Sequence, residues 1–321
     1  MNGPAEARAP SFIIVGTPRS GTTLVQRLAC ELPGVRVPIE THFFAQFYPS
    51  RFRWRFPLKG DDLREAIGEY ASMKNTREAG LDPERTAGHL GAGAGGPLAL
   101  FDAVVRELAG EAAIYGEKTP THLPWWKPLT GAMPRLRVIA VVRDPRAVVA
   151  STLELPWGPK RSEGFAVVAQ RWLCDQRQVA RAGETLAPDR FLLLRYEDVV
   201  ADPDGARRRI AELIGVAVDG AAQPLASDIL LPRESWKSRA VERVTEERVR
   251  AWEGTLTDRQ VQRIEAICHP EMSRFGYDSR FTFGSAWWTR TVLPPALTLA
   301  RLRYALRHRL DLRRAERTPI W

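Results

Sequence analysis

The chain has 321 residues, of which 44% are hydrophobic and 26% charged, with a formal net charge of +9. These are the proportions of a soluble globular protein, and the length allows one large core or two modest ones. Three widely separated cysteines (Cys30, Cys174, Cys268) show no metal-type spacing, which fits reduced thiols of a cytoplasmic protein and excludes a disulfide framework. The basic balance points to anionic partners, but all except six of the 47 cationic residues are arginine, an Arg surplus that a GC-rich genome also produces. With no nucleic-acid module in the sequence, nucleic acid is not expected as a partner.

The first ten residues are polar and rich in Ala and Pro, so they read as a disordered start rather than a leader. Phe12–Val15 is then a short apolar run of the kind that forms a buried parallel strand. It breaks at Gly16 into Thr-Pro-Arg-Ser-Gly-Thr-Thr, and Leu24, Val25 and Leu28 follow at helical spacing. A strand, a Gly-bounded loop and a helix start make an anion cradle, because unpaired backbone N–H groups point at the ligand. Gly16 and Gly21 have the spacing of a nucleotide P-loop, yet Thr22 stands where a nucleoside triphosphatase needs Lys, and a cation sits inside the loop at Arg19.

Further strand-like runs are expected near Val35–Val37, Ala112–Tyr115, Leu136–Val142 and Phe191–Leu194, with helical stretches between them. The alternation predicts an α/β fold, a P-loop-type parallel sheet flanked by helices in a single domain. Phe47–Phe56 interleaves aromatics with Arg, suiting a planar or lipid-like acceptor as well as packing beneath a helix. The Gly-rich stretch from Gly88 to Pro97 reads as a spacer or as a lid. Lys118 follows the third run, at the edge where the strands end. After the fourth run come Arg143-Asp144-Pro145-Arg146, with Asp144 suited to cap a helix, Pro145 to its first turn, and Ser151 two turns in. Ligands of open parallel sheets sit beyond such strand ends, where an Arg fork and a hydroxyl can hold a phosphate. Asp202-Pro203 opens a helix that ends at Gly215, and another starts near Thr245.

The Pro18–Thr23 loop together with Arg143 and Ser151 resembles the sulfotransferase family, which uses 3′-phosphoadenosine 5′-phosphosulfate (PAPS). The Arg-containing form of the loop is most similar to tyrosylprotein sulfotransferases and their bacterial relatives. The resemblance implies that Arg19, Ser20, Gly21, Thr22 and Thr23 bind the 5′-phosphosulfate and that Arg143 and Ser151 bind the 3′-phosphate. It implies that Arg19 and Lys118 are the catalytic cations, Arg19 at the 5′ end and Lys118, in Glu-Lys-Thr-Pro, on the bridging oxygen, and that Glu40 is the base for the acceptor hydroxyl. His122 is a second choice of base, with His42 behind it. Lys237 and Arg239 become candidates for the 3′-phosphate, although the Arg-Lys-Gly form usual in the family is missing. Arg195-Tyr196-Glu197-Asp198 matches a family Tyr-Glu-Asp and reads as a join between strand and helix.

The expected function is transfer of a sulfuryl group from PAPS to a small-molecule, glycan or lipid hydroxyl, without a metal, by a bacterial enzyme with no anchor segment. A P-loop kinase and a non-catalytic nucleotide-binding protein are the alternatives. The expected division is a disordered 1–10, a sulfotransferase domain at 11–284 and a basic amphipathic extension at 285–321. In the extension Leu299, Leu302, Leu306 and Leu310 share one helical face bordered by arginines. That face is expected to pack on its own domain or a second subunit, the other reading being peripheral contact with an anionic membrane.

Overall fold

The computed structural model describes residues 10–52, 56–90, 95–156, 158, 164–218, 247–282, 295–317 and 320. Five parallel strands form the centre: β1 (Phe12–Gly16), β2 (Val35–Arg36), β3 (Ile114–Lys118), β4 (Arg137–Val142) and β5 (Phe191–Arg195). Their order is β2-β3-β1-β4-β5, so β1 lies between β3 and β4. Parallel neighbours need crossovers, and helices supply them on both faces.

One face holds α1 (Thr22–Cys30), the short α9 (Tyr196–Ala201) and α10 (Pro203–Ile214), packed on Phe12, Ile14, Ile139, Val141, Leu192 and Leu194. The other face carries Ile13, Val15, Val138, Ala140 and Val142 against a larger set. That set begins with a π-type helix at Phe43–Phe52, then α2 (Gly60–Ser72), α3 (Lys74–Glu78), α4 (Pro83–Gly88) and α5 (Pro97–Ala109). A 3₁₀ turn at Pro120–Trp125, α6 (Trp126–Ala132), α7 (Pro145–Leu153) and the 22-residue α8 (Gly164–Thr185) follow. Towards the far end of the chain lie α11 (Glu247–Arg250), α12 (Trp252–Thr255), α13 (Asp258–Met272) and α14 (Pro295–Arg317). The sheet, its parallel sense and the flanking helices agree with the sequence expectation.

Other expectations are shifted or narrowed. The third strand was expected at Ala112–Tyr115 but runs from Ile114 to Lys118, so Glu117 and Lys118 close the strand rather than follow it. Hydropathy hides this, because Glu117 is fully buried on polar partners, among them Thr41 from far earlier in the chain. In the Phe47–Phe56 segment, Phe47 and Tyr48 are core residues: Phe47 lies edge-on to Tyr70 and Tyr48 meets Phe56. The described ends of the Gly-rich stretch are fixed, with the Leu58 N–H donating to the Gly95 carbonyl at 2.8 Å and Pro97 opening α5.

The largest change concerns α14. It packs on α8 as expected of a helix docked on its own domain, but through the face opposite the leucines. Leu297 and Ala315 are buried there, the Arg301 Nε donates to Gln170 Oε1 at 2.9 Å, and His308 Nε2 lies 3.7 Å from Asp175 Oδ1. The surface α8 offers is polar, so a mixed Arg/Tyr/His face suits it better than a leucine stripe. Leu299, Leu302, Leu306 and Leu310 are left exposed.

Candidate active site

All five strands run the same way, so the loops after Gly16, Arg36, Lys118, Val142 and Arg195 converge on one edge. A cavity of about 1380 Å³ opens there, lined by the β1 loop, Glu40, His42, Arg143, Ser151, Tyr196 and Trp252 among others.

The β1 loop owes its shape to two glycines that admit no side chain. A Cβ at Gly16 would lie 2.4 Å from the Val141 carbonyl oxygen on β4, and one at Gly21 would lie 2.3 Å from the Tyr196 ring. Gly21 has φ +96° and caps α1, and Arg19 is itself left-handed at φ +75°. This turn aims Arg19 across the cavity, where its Nε donates to Ser151 Oγ at 3.1 Å. Thr22 and Thr23 begin α1 and line the cavity, while Ser20 is fully buried and its Oγ has no hydrogen-bond partner among the described residues.

Arg143 leaves the end of β4 and meets the loop from the other side. One guanidinium nitrogen donates to the Arg19 carbonyl at 3.1 Å and the other to the Arg248 carbonyl at 2.9 Å. The group stacks over Tyr196 at 4.2 Å, and its buried Nε has no partner among the described residues. Burial and the neighbouring Arg143 charge pull the Arg19 pKa down from its usual value. Two cations and the Ser151 hydroxyl in one cavity make a site that an anion such as phosphate or sulfate would satisfy. Asp144 does cap α7, accepting from the Arg146 N–H, and Arg146 runs on to Glu265 at 2.7 Å and over Trp252 at 4.3 Å. Glu197 accepts from the Asp144 N–H and from the Tyr277 hydroxyl, so it ties the start of α9 to the start of α7 and to Tyr277.

Across the cavity, Lys118 and Glu40 form a pair: Lys118 Nζ donates to Glu40 Oε1 at 2.7 Å. The Lys118 side chain is buried and Glu40 is its face to the cavity. His42 Nε2 stands 3.4 Å from Glu40 Oε2, and burial lowers the His42 pKa against the pull of that carboxylate. Behind the pair lies Glu117, reached by the hydroxyls of Thr41 and Thr119 and by His122 Nδ1 at 3.0 Å. Burial alone would raise the Glu117 pKa, but the His122 ring and the two hydroxyls outweigh it and hold it below the usual range.

His122 is fully buried, and the Phe44 backbone N–H donates to its Nε2 at 3.1 Å. A backbone N–H can only donate, so Nε2 carries no proton and Nδ1–H points at Glu117. Both ring nitrogens are therefore engaged inside the protein. Lys237 and Arg239 lie outside the described residues. Sequence reasoning passed over Tyr196, read there as part of a structural join, although an aromatic residue at a strand's carboxyl edge was a usable signal. Arg248, which holds Arg143 through its carbonyl, carries no such signal.

Residues 10–220 match the model of the sulfotransferase family. The chain belongs to that family. Among proteins it resembles, the omega-hydroxy-beta-dihydromenaquinone-9 sulfotransferase of Mycobacterium bovis is 29% identical over 140 residues, which is 41% of this chain and 36% of that protein. The protein-tyrosine sulfotransferase A of Caenorhabditis elegans is 23% identical across 84% of this chain and 68% of its own length. Carbohydrate sulfotransferase 3 of Tetronarce californica is 27% identical across 44% and 36%. The chain thus spans little more than a third of the mycobacterial and Tetronarce proteins. In three dimensions it is similar to the sulfotransferase domain of the Synechococcus PCC 7002 olefin synthase. The TM-score is 0.58 at 20% identity, covering 86% of this chain and 98% of that domain.

Proposed function

We propose that the chain transfers a sulfuryl group from PAPS to an acceptor hydroxyl, releasing adenosine 3′,5′-bisphosphate. The observation that carries this reading is the meeting of Arg19, Arg143 and Ser151 in one cavity, with the buried Ser20 Oγ and Arg143 Nε lacking partners among the described residues. Polar groups so placed fit a phosphate- and sulfate-bearing nucleotide. The β1 loop from Arg19 to Thr23 would hold its 5′ end, Arg143 and Ser151 its 3′-phosphate, with Tyr196 and Trp252 as apolar walls. When bound, PAPS supplies the activated sulfuryl group.

Within this reading the remaining work belongs to the Lys118–Glu40 pair. The Glu40 carboxylate takes the proton of the acceptor hydroxyl as that oxygen attacks. Protonation ends the attraction that holds Lys118 to Glu40 at 2.7 Å, leaving the ammonium charge to meet negative charge that develops in the cavity. His122 is a positioning residue. Directly at Phe44, and through Glu117 at Thr41, it fixes the chain that follows Glu40, and hence the carboxylate of Glu40. The acceptor classes carried by the relatives' names, a quinone lipid, tyrosine and carbohydrate, share only the hydroxyl. A small-molecule, glycan or lipid alcohol is the substrate class proposed.

The test is calorimetric titration of the full chain with adenosine 3′,5′-bisphosphate and with AMP. The bisphosphate should bind about 10²-fold more tightly, and Arg143→Ala should remove most of that difference. Equal affinity of the unmodified protein for both ligands overturns the assignment.

A further inference from the structure

Helix α14 turns a stripe of leucines outwards, with Leu299, Leu302, Leu306 and Leu310 at 51%, 61%, 61% and 44% exposure. At about 100° per residue these four span an arc of roughly 80°. Exposed arginines border it on both sides, Arg303, Arg307 and Arg314 along one edge and Arg309 along the other, and Arg313 and Arg317 continue its line beyond Leu310. The opposite side of the helix is already used against α8, so the stripe faces away from the body of the protein. A single exposed leucine needs no explanation, but four on one line with cations at both margins form one surface.

We infer that this face docks on an anionic lipid surface. Leucines along a narrow stripe enter the boundary between headgroups and acyl chains, while arginines at its margins reach lipid phosphates. The charge pattern selects this occupant over a second copy of the chain. Two such stripes laid together would bring their arginine rows side by side. The helix has only two acids, Asp311, which lies 3.6 Å from Arg314, and Glu316, which lies 3.4 Å from Lys127. No described helix is long and apolar enough to cross a membrane, so the contact is one of the surface.

Sedimentation with vesicles tests the inference on the full chain. It should pellet with vesicles of phosphatidylcholine and phosphatidylglycerol in equal parts and stay in solution with phosphatidylcholine alone. Leu302→Ser with Leu306→Ser should weaken partitioning by about tenfold or more, and Arg303→Gln, Arg307→Gln and Arg313→Gln together should remove its salt sensitivity. These side chains are exposed, and unchanged melting of each variant shows that the fold persists. Should a variant melt early, the salt titration of the unmodified chain still decides, since binding that ignores salt contradicts a phosphate contact. The inference fails if the chain ignores anionic vesicles or if the leucine variant pellets as well as the parent. It also fails if sedimentation velocity finds a dimer that the leucine variant dissolves. None of these outcomes touches nucleotide binding, which is measured separately.

Discussion

The two banks of the cavity solve opposite electrostatic problems. Along the ends of β1 and β4, Arg19 and Arg143 are crowded together and polar atoms at Ser20 and Arg143 lack partners among the described residues. Along the ends of β2 and β3, Lys118 answers Glu40, and Glu117 receives three hydrogen bonds from Thr41, Thr119 and His122. A bank that binds a ligand gains by keeping donors unpaired, since each hydrogen bond made to the ligand then costs no internal one. A bank that must move a proton gains by holding its groups in a fixed, balanced set. The contrast suggests that loss of a side chain on the first bank weakens affinity, whereas loss on the second stops turnover.

The sharpest way to break that contrast is Glu40→Gln, which keeps the shape and removes the base. Turnover is expected to fall by about 10²-fold or more while the affinity for adenosine 3′,5′-bisphosphate stays within about twofold. Steady-state rates and calorimetry on one preparation decide it, and near-normal turnover would end the assignment. Lys118→Ala should cost kcat about 10²-fold. Because the two side chains are partners, the double variant should lose little more than the worse single one, and strictly multiplicative losses would show that they act apart. A smaller effect belongs to Glu117→Gln. It replaces a carboxylate that accepts three hydrogen bonds with an amide that must orient one donor among them, at about 1–3 kcal/mol of stability by denaturant unfolding. Unchanged stability would mean that the buried network does not hold this bank together.

Much of the first bank was legible in the sequence, because its features are local. Gly16, Arg19, Gly21 and the Arg143-to-Ser151 spacing each follow an apolar strand, and strand, loop and helix start can be read from adjacent residues. The second bank was less legible because it joins two segments far apart in the chain, Glu40 and Thr41 on one side and Glu117 and Lys118 on the other. Glu117 lies in a strand that hydropathy closes at Tyr115, since a buried charge is stable only once Thr41, 76 residues earlier, has been brought to it beside His122. His122 looked available for chemistry until its second nitrogen was found accepting from Phe44. On α14 the leucines were visible but not their direction. The polar surface of α8, with Gln170 and Asp175, set the helix on its other side.

The smallest expected effect lies away from both banks, at Asp102 on α5. Burial raises its pKa to about 6 even though the Tyr115 hydroxyl donates to it at 2.6 Å and favours the charged form. A carboxyl with a raised folded-state pKa contributes stability that is complete below the ordinary value and is lost as pH climbs through the folded one. The window therefore runs from about pH 4 to about pH 6. Asp102→Asn keeps an oxygen for Tyr115 and carries no charge, so its stability should be flat across that window and exceed that of the parent above it. Thermal melting of both proteins between about pH 4 and pH 7 reads the difference. Parallel curves would mean that Asp102 is charged in the fold at no cost, and that α5 and β3 meet through a well-solvated contact.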